Sequence, residues 1–137
     1  MTAVIIILWI AFSDTASIKA EPDLEKRSEV ALANADHNID LARQSYNAGD
    51  LKAEQAALDE VGDSVGLSYE ALGQSHKTPR KSRYYKSAEL KVRALLRRLT
   101  SLRDEVDVDH RPAIDVVMNN LQQVHDHLLT EIMSKKK

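Results

Sequence analysis

The fold is decided by residues 85–106, which read YKSAELKVRALLRRLTSLRDEV. Apolar side chains recur there every three or four residues, at Tyr85, Ala88, Val92, Leu95, Leu99, Leu102 and Val106. Because an α-helix turns once every 3.6 residues, this spacing keeps the apolar side chains on one face. The stretch therefore predicts a long amphipathic helix whose apolar face packs against a partner.

Three further stretches repeat this pattern. One carries Leu51, Leu58, Val61, Val65 and Leu72, another carries Ile114, Val117, Leu121, Val124, Leu128 and Ile132, and a weaker one carries Leu24, Ala31, Ala35, Ile39, Ala42 and Tyr46. No sustained period-two alternation competes with a helical reading. The sequence therefore predicts an all-α fold with helices at about residues 23–48, 51–72, 79–106 and 110–133.

Turn signals separate the predicted helices. Gly49 and Asp50 form a stop and an N-cap, so the first connection is very short. Thr78 and Pro79 are expected to start the third helix, and Asp109 is expected to cap the fourth. Four rods joined by short connections predict an up-down-up-down four-helix bundle of long amphipathic helices.

The N-terminus predicts a cleavable leader. Residues 3–12 read AVIIILWIAF, and a polar stretch and Ala20 follow. Ten helical residues span only about 15 Å, roughly half of a bilayer core. We interpret residues 1–20 as a secretory signal peptide cut after Ala20, with a cut after Ser17 as an alternative. An uncleaved membrane anchor and a buried helix are the other interpretations. The domain would then be residues 21–134, followed by a basic tail at 135–137.

Composition excludes several classes of chemistry. The 137 residues include no cysteine, so disulfides, CxxC redox pairs and cysteine zinc sites are ruled out. Only 4% of the residues are aromatic, which predicts an aliphatic core. Neither a nucleophile elbow, a P-loop nor a glycine-rich dinucleotide turn occurs. We therefore expect a protein that is not an enzyme.

Charge is segregated along the chain. The net charge is −8 over residues 21–75, +9 over residues 76–103 and −6 over residues 104–134. One interpretation is intramolecular: the basic third helix forms ion pairs with acidic neighbours, which fixes the order of the helices. The other interpretation is a surface that binds anions.

The candidate anion-binding residues lie at the start of the basic segment. They are Lys77, Arg80, Lys81, Arg83, Tyr84, Tyr85 and Lys86. Five bases beside two aromatic rings suit a phosphate or polysaccharide ligand, such as lipopolysaccharide or phospholipid headgroups. Nucleic acid is disfavoured because the acidic remainder of the chain would repel it.

Metal and haem sites are weaker hypotheses. His125 and His127 are two residues apart, so on a helix they cannot both face one ion. His37 and Asp40 have a usable spacing, but the Glu-x-x-His motif of di-iron bundles is absent. A non-covalent haem would need Met118 with His125 or His37 as axial ligands. We predict no resident cofactor or metal.

Two glycines lie inside the second predicted helix, where each costs about 1 kcal/mol relative to alanine. We interpret Gly62 and Gly66 as close-packing positions, and a local kink that opens a pocket is the alternative. The small residues Ala31, Ala35 and Ala42 on the first helix favour close packing as well.

Together these features predict an exported, periplasmic or secreted bundle that serves as a binding or structural module of the cell envelope. Its partner would be an envelope protein or an anionic surface. Contact with a membrane is expected only through an uncleaved leader. Four helices can close a core alone, so a monomer is favoured.

Overall fold

The computed structural model describes residues 14–134 of the chain, and this part is all-helical with no strand. In chain order the helices are α1 (Asp14–Ala20), α2 (Leu24–Asn47), α3 (Leu51–Gln74), α4 (Arg83–Glu105) and α5 (Arg111–Met133). A 3₁₀ turn (Val108–His110) precedes α5. The prediction of an all-α protein with four long helices is therefore confirmed.

Capping side chains begin three of the long helices. Asp23 accepts hydrogen bonds from the backbone N–H groups of Glu25 and Lys26, and Asp50 accepts one from Ala53. Gly49 has φ +76°, a left-handed conformation that glycine adopts without steric cost. The tight turn between α2 and α3 therefore forms as the sequence predicts.

Two helix starts differ from the prediction. Residues 78–81 form a turn in which the Lys81 N–H donates to the Thr78 carbonyl at 3.0 Å, so Pro79 does not begin α4. Ser82 caps α4 instead, because its hydroxyl accepts from two N–H groups of the first turn. Asp109 does not cap α5 either: it belongs to the 3₁₀ turn, which Asp107 caps.

Contacts between side chains give the direction of each helix. Asn34 meets Ser64, whereas the earlier Ser28 meets the later Ser68, so α2 and α3 are antiparallel. The pairs Arg103–Asp115 and Glu89–His125 show the same for α4 and α5. The pairs Asp36–Arg98 and Arg43–Glu105 show that α2 and α4 are parallel. The direction therefore alternates along the chain.

The arrangement of the helices is not that of the simplest bundle, in which consecutive helices lie side by side. The neighbouring pairs are α2 with α3, α4 with α5, α2 with α4, and α3 with α5, whereas α3 and α4 barely touch. The chain thus forms two antiparallel hairpins that stack on each other. The segment of residues 75–82 crosses one end of the bundle to join opposite corners.

The α2–α3 pair has the most extensive contact, and small side chains allow it. Ser28, Ala31, Ala35 and Ala42 of α2 are buried, as are Ala57, Ser64, Ser68 and Ala71 of α3. The hydroxyls of Ser28 and Ser68 hydrogen bond across this seam at 2.6 Å. The predicted close packing of the first helix is confirmed, because small residues let helix axes approach each other.

Larger aliphatic side chains fill the space between the two hairpins. Among the fully buried ones are Ile39, Leu58, Leu72, Leu99, Leu102, Ile114, Leu121 and Leu128. They come from all four long helices and form one continuous core. The apolar stripes read from the sequence therefore meet in the centre of the molecule, except that Leu51, at the start of α3, is 53% exposed.

The predicted signal peptide is only partly within the described residues. The apolar stretch of the leader falls within residues 1–13, which lie outside the described range. The predicted basic tail, residues 135–137, lies outside it as well. The last seven residues of the predicted leader are α1, which packs against α2 and buries Ile18 to 1% exposure. No helix in the described range combines the length and the apolar character needed to cross a membrane.

Candidate functional site

The predicted anion-binding residues gather at the end of the bundle where α3 ends and α4 begins. Lys77, Arg80 and Lys81 lie on the connecting segment, and Arg83 and Lys86 lie on the first turn of α4. All five side chains are exposed. We call these five bases the basic end.

The two tyrosines of the prediction have different positions. Tyr84 is half-buried; its hydroxyl accepts a hydrogen bond from Arg83 at 2.9 Å, and its ring lies 4.9 Å from the guanidinium carbon. Tyr85 is only 3% exposed and belongs to the core. Burial and the nearby Glu131 carboxylate raise the pKa of Tyr85. Its assignment to a binding surface is therefore wrong, because a side chain in the core cannot meet a ligand.

Within residues 14–134, none of the five bases of the basic end forms an ion pair with a carboxylate. The basic residues further along α4 are different. Arg98 binds Asp36 and Asp40 of α2, and Arg103 binds Asp115 of α5 through two hydrogen bonds of 2.6 and 3.3 Å. The intramolecular interpretation thus applies to Arg98 and Arg103. The basic end differs in that its bases form no ion pair among the described residues, although Glu25 and Glu29 act on Arg83 electrostatically.

The C-terminus of α5 lies at the same end of the molecule. Glu131 lies near Tyr69 of α3 and Tyr85 of α4, and burial together with Glu131 raises the pKa of Tyr69 to about 12. The sequence continues after Ser134 with three lysines.

A buried acid links α4 to α5. One carboxylate oxygen of Glu89 accepts hydrogen bonds from His125 at 2.7 Å and from Arg93 at 2.9 Å. Burial opposes ionisation of Glu89, but the bonds from His125 and Arg93 outweigh it and lower the pKa of this carboxyl. The group is a structural ion pair, and both Glu89 and His125 are mostly shielded from solvent.

A second polar group lies at the opposite end of the bundle, and sequence reasoning missed it. His110 Nδ1 is 2.7 Å from an Asp107 carboxylate oxygen, while the His110 ring packs edge-on against Tyr46. Glu54 lies 4.0 Å from His110 and is 4% exposed. The sequence carries one signal of this group: Glu54 lies on the apolar face of its helix, one turn before Ala57 and Leu58 and two turns before Val61.

An open groove runs between α3 and α5, with a volume of about 840 Å³. Gly62 and Gly66 line it beside the carboxylates of Asp59 and Asp63, and Val116 lines the opposite wall. A Cβ added at Gly66 would meet nothing within 4 Å, and one at Gly62 would meet only Asn120 at 4.0 Å. The prediction that these glycines pack closely is therefore wrong; they border open space while α3 continues as one helix.

The histidines and the methionine considered as ligands have other contacts in the structure. His125 contacts Glu89 of α4, whereas His127 stacks on Tyr69 of α3 with ring centroids 5.9 Å apart. His37 is exposed on α2, and Met118 packs against the core. Among the described residues no three His, Asp or Glu side chains converge on a point that could hold a metal ion.

Comparison with known proteins adds no relative. No protein-family model matches the chain, and no curated protein or solved structure is similar to it. The geometry and charge of the molecule are therefore the evidence for its function.

Proposed function

We propose that this protein is a non-enzymatic helical bundle of the cell envelope that binds a phosphate-bearing anionic surface through its basic end. One observation carries the proposal: five exposed bases on a span of ten residues form no ion pair with a carboxylate in the described part of the chain. By contrast, Arg98 and Arg103 of α4 join helices, and both are paired with aspartates. The unpaired bases are thus available for an external anion.

The position of these bases favours an extended surface over a small ligand. The five side chains are all exposed and are spread over a connecting segment and the first turn of a helix. The N-terminal end of α4 adds the positive end of a helix dipole. Several exposed cations beside the positive end of a helix dipole suit a lipid headgroup layer or a lipopolysaccharide, where many anions lie in one plane.

Export is part of this proposal. The apolar residues 3–12 support it, because an apolar segment of this length followed by small and polar residues is typical of a secretory leader. An envelope location would also supply the anionic surface. The runner-up function, a bundle that binds metal or haem, has no comparable observation in its favour.

The test is a charge reversal at the basic end. The variant R80E/K81E/R83E is compared with wild type in co-sedimentation with vesicles of anionic phospholipid, with vesicles that contain lipopolysaccharide, and in retention on heparin. Each base near an anionic membrane contributes about 1 kcal/mol, so we expect at least a hundredfold weaker vesicle binding. Binding that also weakens with salt would support the electrostatic origin.

The matched control reverses three exposed bases elsewhere, K52E/K91E/R97E, which changes the net charge by the same amount. We expect this control to retain most of the binding. Equal binding by wild type and both variants would disprove the proposal, and equal loss in both would reduce it to an effect of net charge. Stronger binding to one of the three matrices would identify the kind of anion.

A further inference from the structure

Helix α1 is an integrated part of the bundle, although it lies within the segment that the sequence assigns to a cleaved leader. The side chain of Ile18 is 1% exposed, and the Thr15 hydroxyl donates to the Glu60 carboxylate on α3 at 3.4 Å. A hydrogen bond also holds the connection between α1 and α2, because Arg27 Nε donates to the Glu21 carbonyl at 2.8 Å. These contacts fix α1 over the α2–α3 hairpin.

Either cleavage site considered from the sequence would damage this packing. A cut after Ala20 removes the whole of α1, and a cut after Ser17 leaves Ile18 as the new terminus. The first cut would expose the apolar surface that Ile18 covers. The second cut would place a charged amino group on the buried Ile18. Loss of a fully buried aliphatic side chain removes its packing contacts and exposes the surface beneath it.

The sequence offers a cleavage site that spares α1. Signal peptidases require small residues at the first and third positions before the cut. Ala11 and Ser13 occupy these positions for a cut after Ser13, whereas a cut after Ala20 places the large Ile18 at the third position. Residues 3–10, which read AVIIILWI, then form an apolar core of ordinary length directly before the site.

We propose that the leader is removed between Ser13 and Asp14, so that α1 remains in the exported protein. This inference rests on the export in the proposed function. A signal peptidase would hydrolyse the Ser13–Asp14 peptide bond with one water, leaving a carboxylate on Ser13 and an amine on Asp14. The mature chain then keeps Ile18 and every contact of α1 described above.

The test is the N-terminus of the processed protein. The full chain is expressed in a bacterium with a general secretion pathway, and the envelope fraction is analysed by intact mass and N-terminal sequencing. We expect Asp14 as the first residue. A terminus at Ile18 or Glu21, or anywhere else, would overturn the processing site while leaving export intact. A full-length chain retained in the cytosol would overturn export itself.

Three variants localise the cut independently of the mass. Ser13→Tyr puts a large residue directly before the proposed bond and should cause the precursor to accumulate. Ser17→Tyr and Ala20→Tyr are the controls; both side chains are exposed on α1, so both proteins should be processed like wild type. Processing that is blocked by Ala20→Tyr or Ser17→Tyr, and not by Ser13→Tyr, would contradict the inference.

Discussion

Two buried glutamates show how this molecule treats a charge inside a helix interface. Glu89 receives hydrogen bonds from His125 and Arg93, so its carboxylate is compensated. Glu54 has no hydrogen-bond partner at one carboxylate oxygen, and burial raises its pKa. An uncompensated buried acid is costly, and among the described residues the basic side chain that comes within 4.0 Å of Glu54 is His110. The charge state of His110 therefore matters for stability.

The residues around His110 determine how its charge state changes stability with pH. The hydrogen bond to Asp107 raises the pKa of His110 above its ordinary value of 6.5 and lowers the pKa of Asp107. Protonated His110 therefore stabilises the fold fully below pH 6.5, and this contribution is lost as the pH rises through the raised pKa. Asp107 acts in the opposite range, since its contribution is lost only as the pH falls below 3.8.

We predict that wild type loses more stability than His110→Asn between pH 5.5 and pH 8.5, because the variant has no imidazolium to lose. The carboxylates that face this ring are Glu54, Asp107 and Asp109. Urea unfolding at the two pH values measures the difference. His37→Asn, an exposed histidine of α2, should follow wild type. Parallel pH curves for wild type and His110→Asn would show that the pair does not stabilise the fold.

At the scale of the elements, α3 has two unlike faces. The face toward α2 carries alanines and serines that allow a close contact, and the face toward α5 carries Gly62 and Gly66 beside the open groove. Glycine weakens a helix because it has the most conformational freedom to lose on folding. Since the groove leaves room for a methyl group, neither glycine is required by packing at its position.

Gly66→Ala should therefore stabilise the protein by about 0.5–1 kcal/mol in urea unfolding. The added methyl group enters open space and the helical backbone stays as it is. Gly49→Ala is the contrasting control, because φ +76° is unfavourable for alanine, and it should destabilise by about 1 kcal/mol. A destabilising Gly66→Ala would mean that the groove is narrower than the structure shows.

At the scale of the whole molecule, charge contributes to the stacking of the two hairpins. Arg98 of α4 reaches Asp36 and Asp40 of α2, and Arg43 of α2 reaches Glu105 of α4 at 2.8 Å. Burial opposes the charge of Arg98, but the two aspartates outweigh it and raise its pKa. Because one cation bridges two carboxylates, this contact also favours one register between two parallel helices.

We predict that Arg98→Gln destabilises the fold by about 1 kcal/mol and reduces the dependence of its stability on salt. Urea unfolding at low and high salt measures both effects. Arg97→Gln removes the same charge from the neighbouring exposed position, which has no ion pair in the described range, and should stay within about 0.5 kcal/mol of wild type. Equal effects of the two variants would mean that the bridge to α2 contributes nothing specific.

Much of the fold could be predicted from local patterns. Val92, Leu95 and Leu99 mark a buried face by their spacing alone, and Gly49 marks a turn by its chemistry. The start of α4 could not be read in the same way, because Thr78–Pro79 and Ser82 are both good starting signals. The structure selects Ser82, and Thr78 and Lys81 close a turn before the helix.

The candidate site was predictable as a charged segment but not as a surface. Tyr84 and Tyr85 are adjacent in sequence, yet a rotation of 100° along the helix puts one beside Arg83 and the other in the core. Whether a base is free depends on where the acids of other helices lie. Arg98 and Lys86 both belong to the basic segment, and contact with Asp36 and Asp40 of α2 is what distinguishes Arg98.

Local patterns in the chain are enough to establish the four long helices and the apolar face of each, because both depend on side chains within a few turns of one another. Tertiary structure decided which helices are neighbours, that α3 and α4 occupy opposite corners, and that α1 packs on the bundle. An apolar stripe is satisfied by any apolar partner of suitable shape. Small residues at the α2–α3 seam favour that pair of helices, and ion pairs between residues about sixty positions apart favour the pairing of α2 with α4.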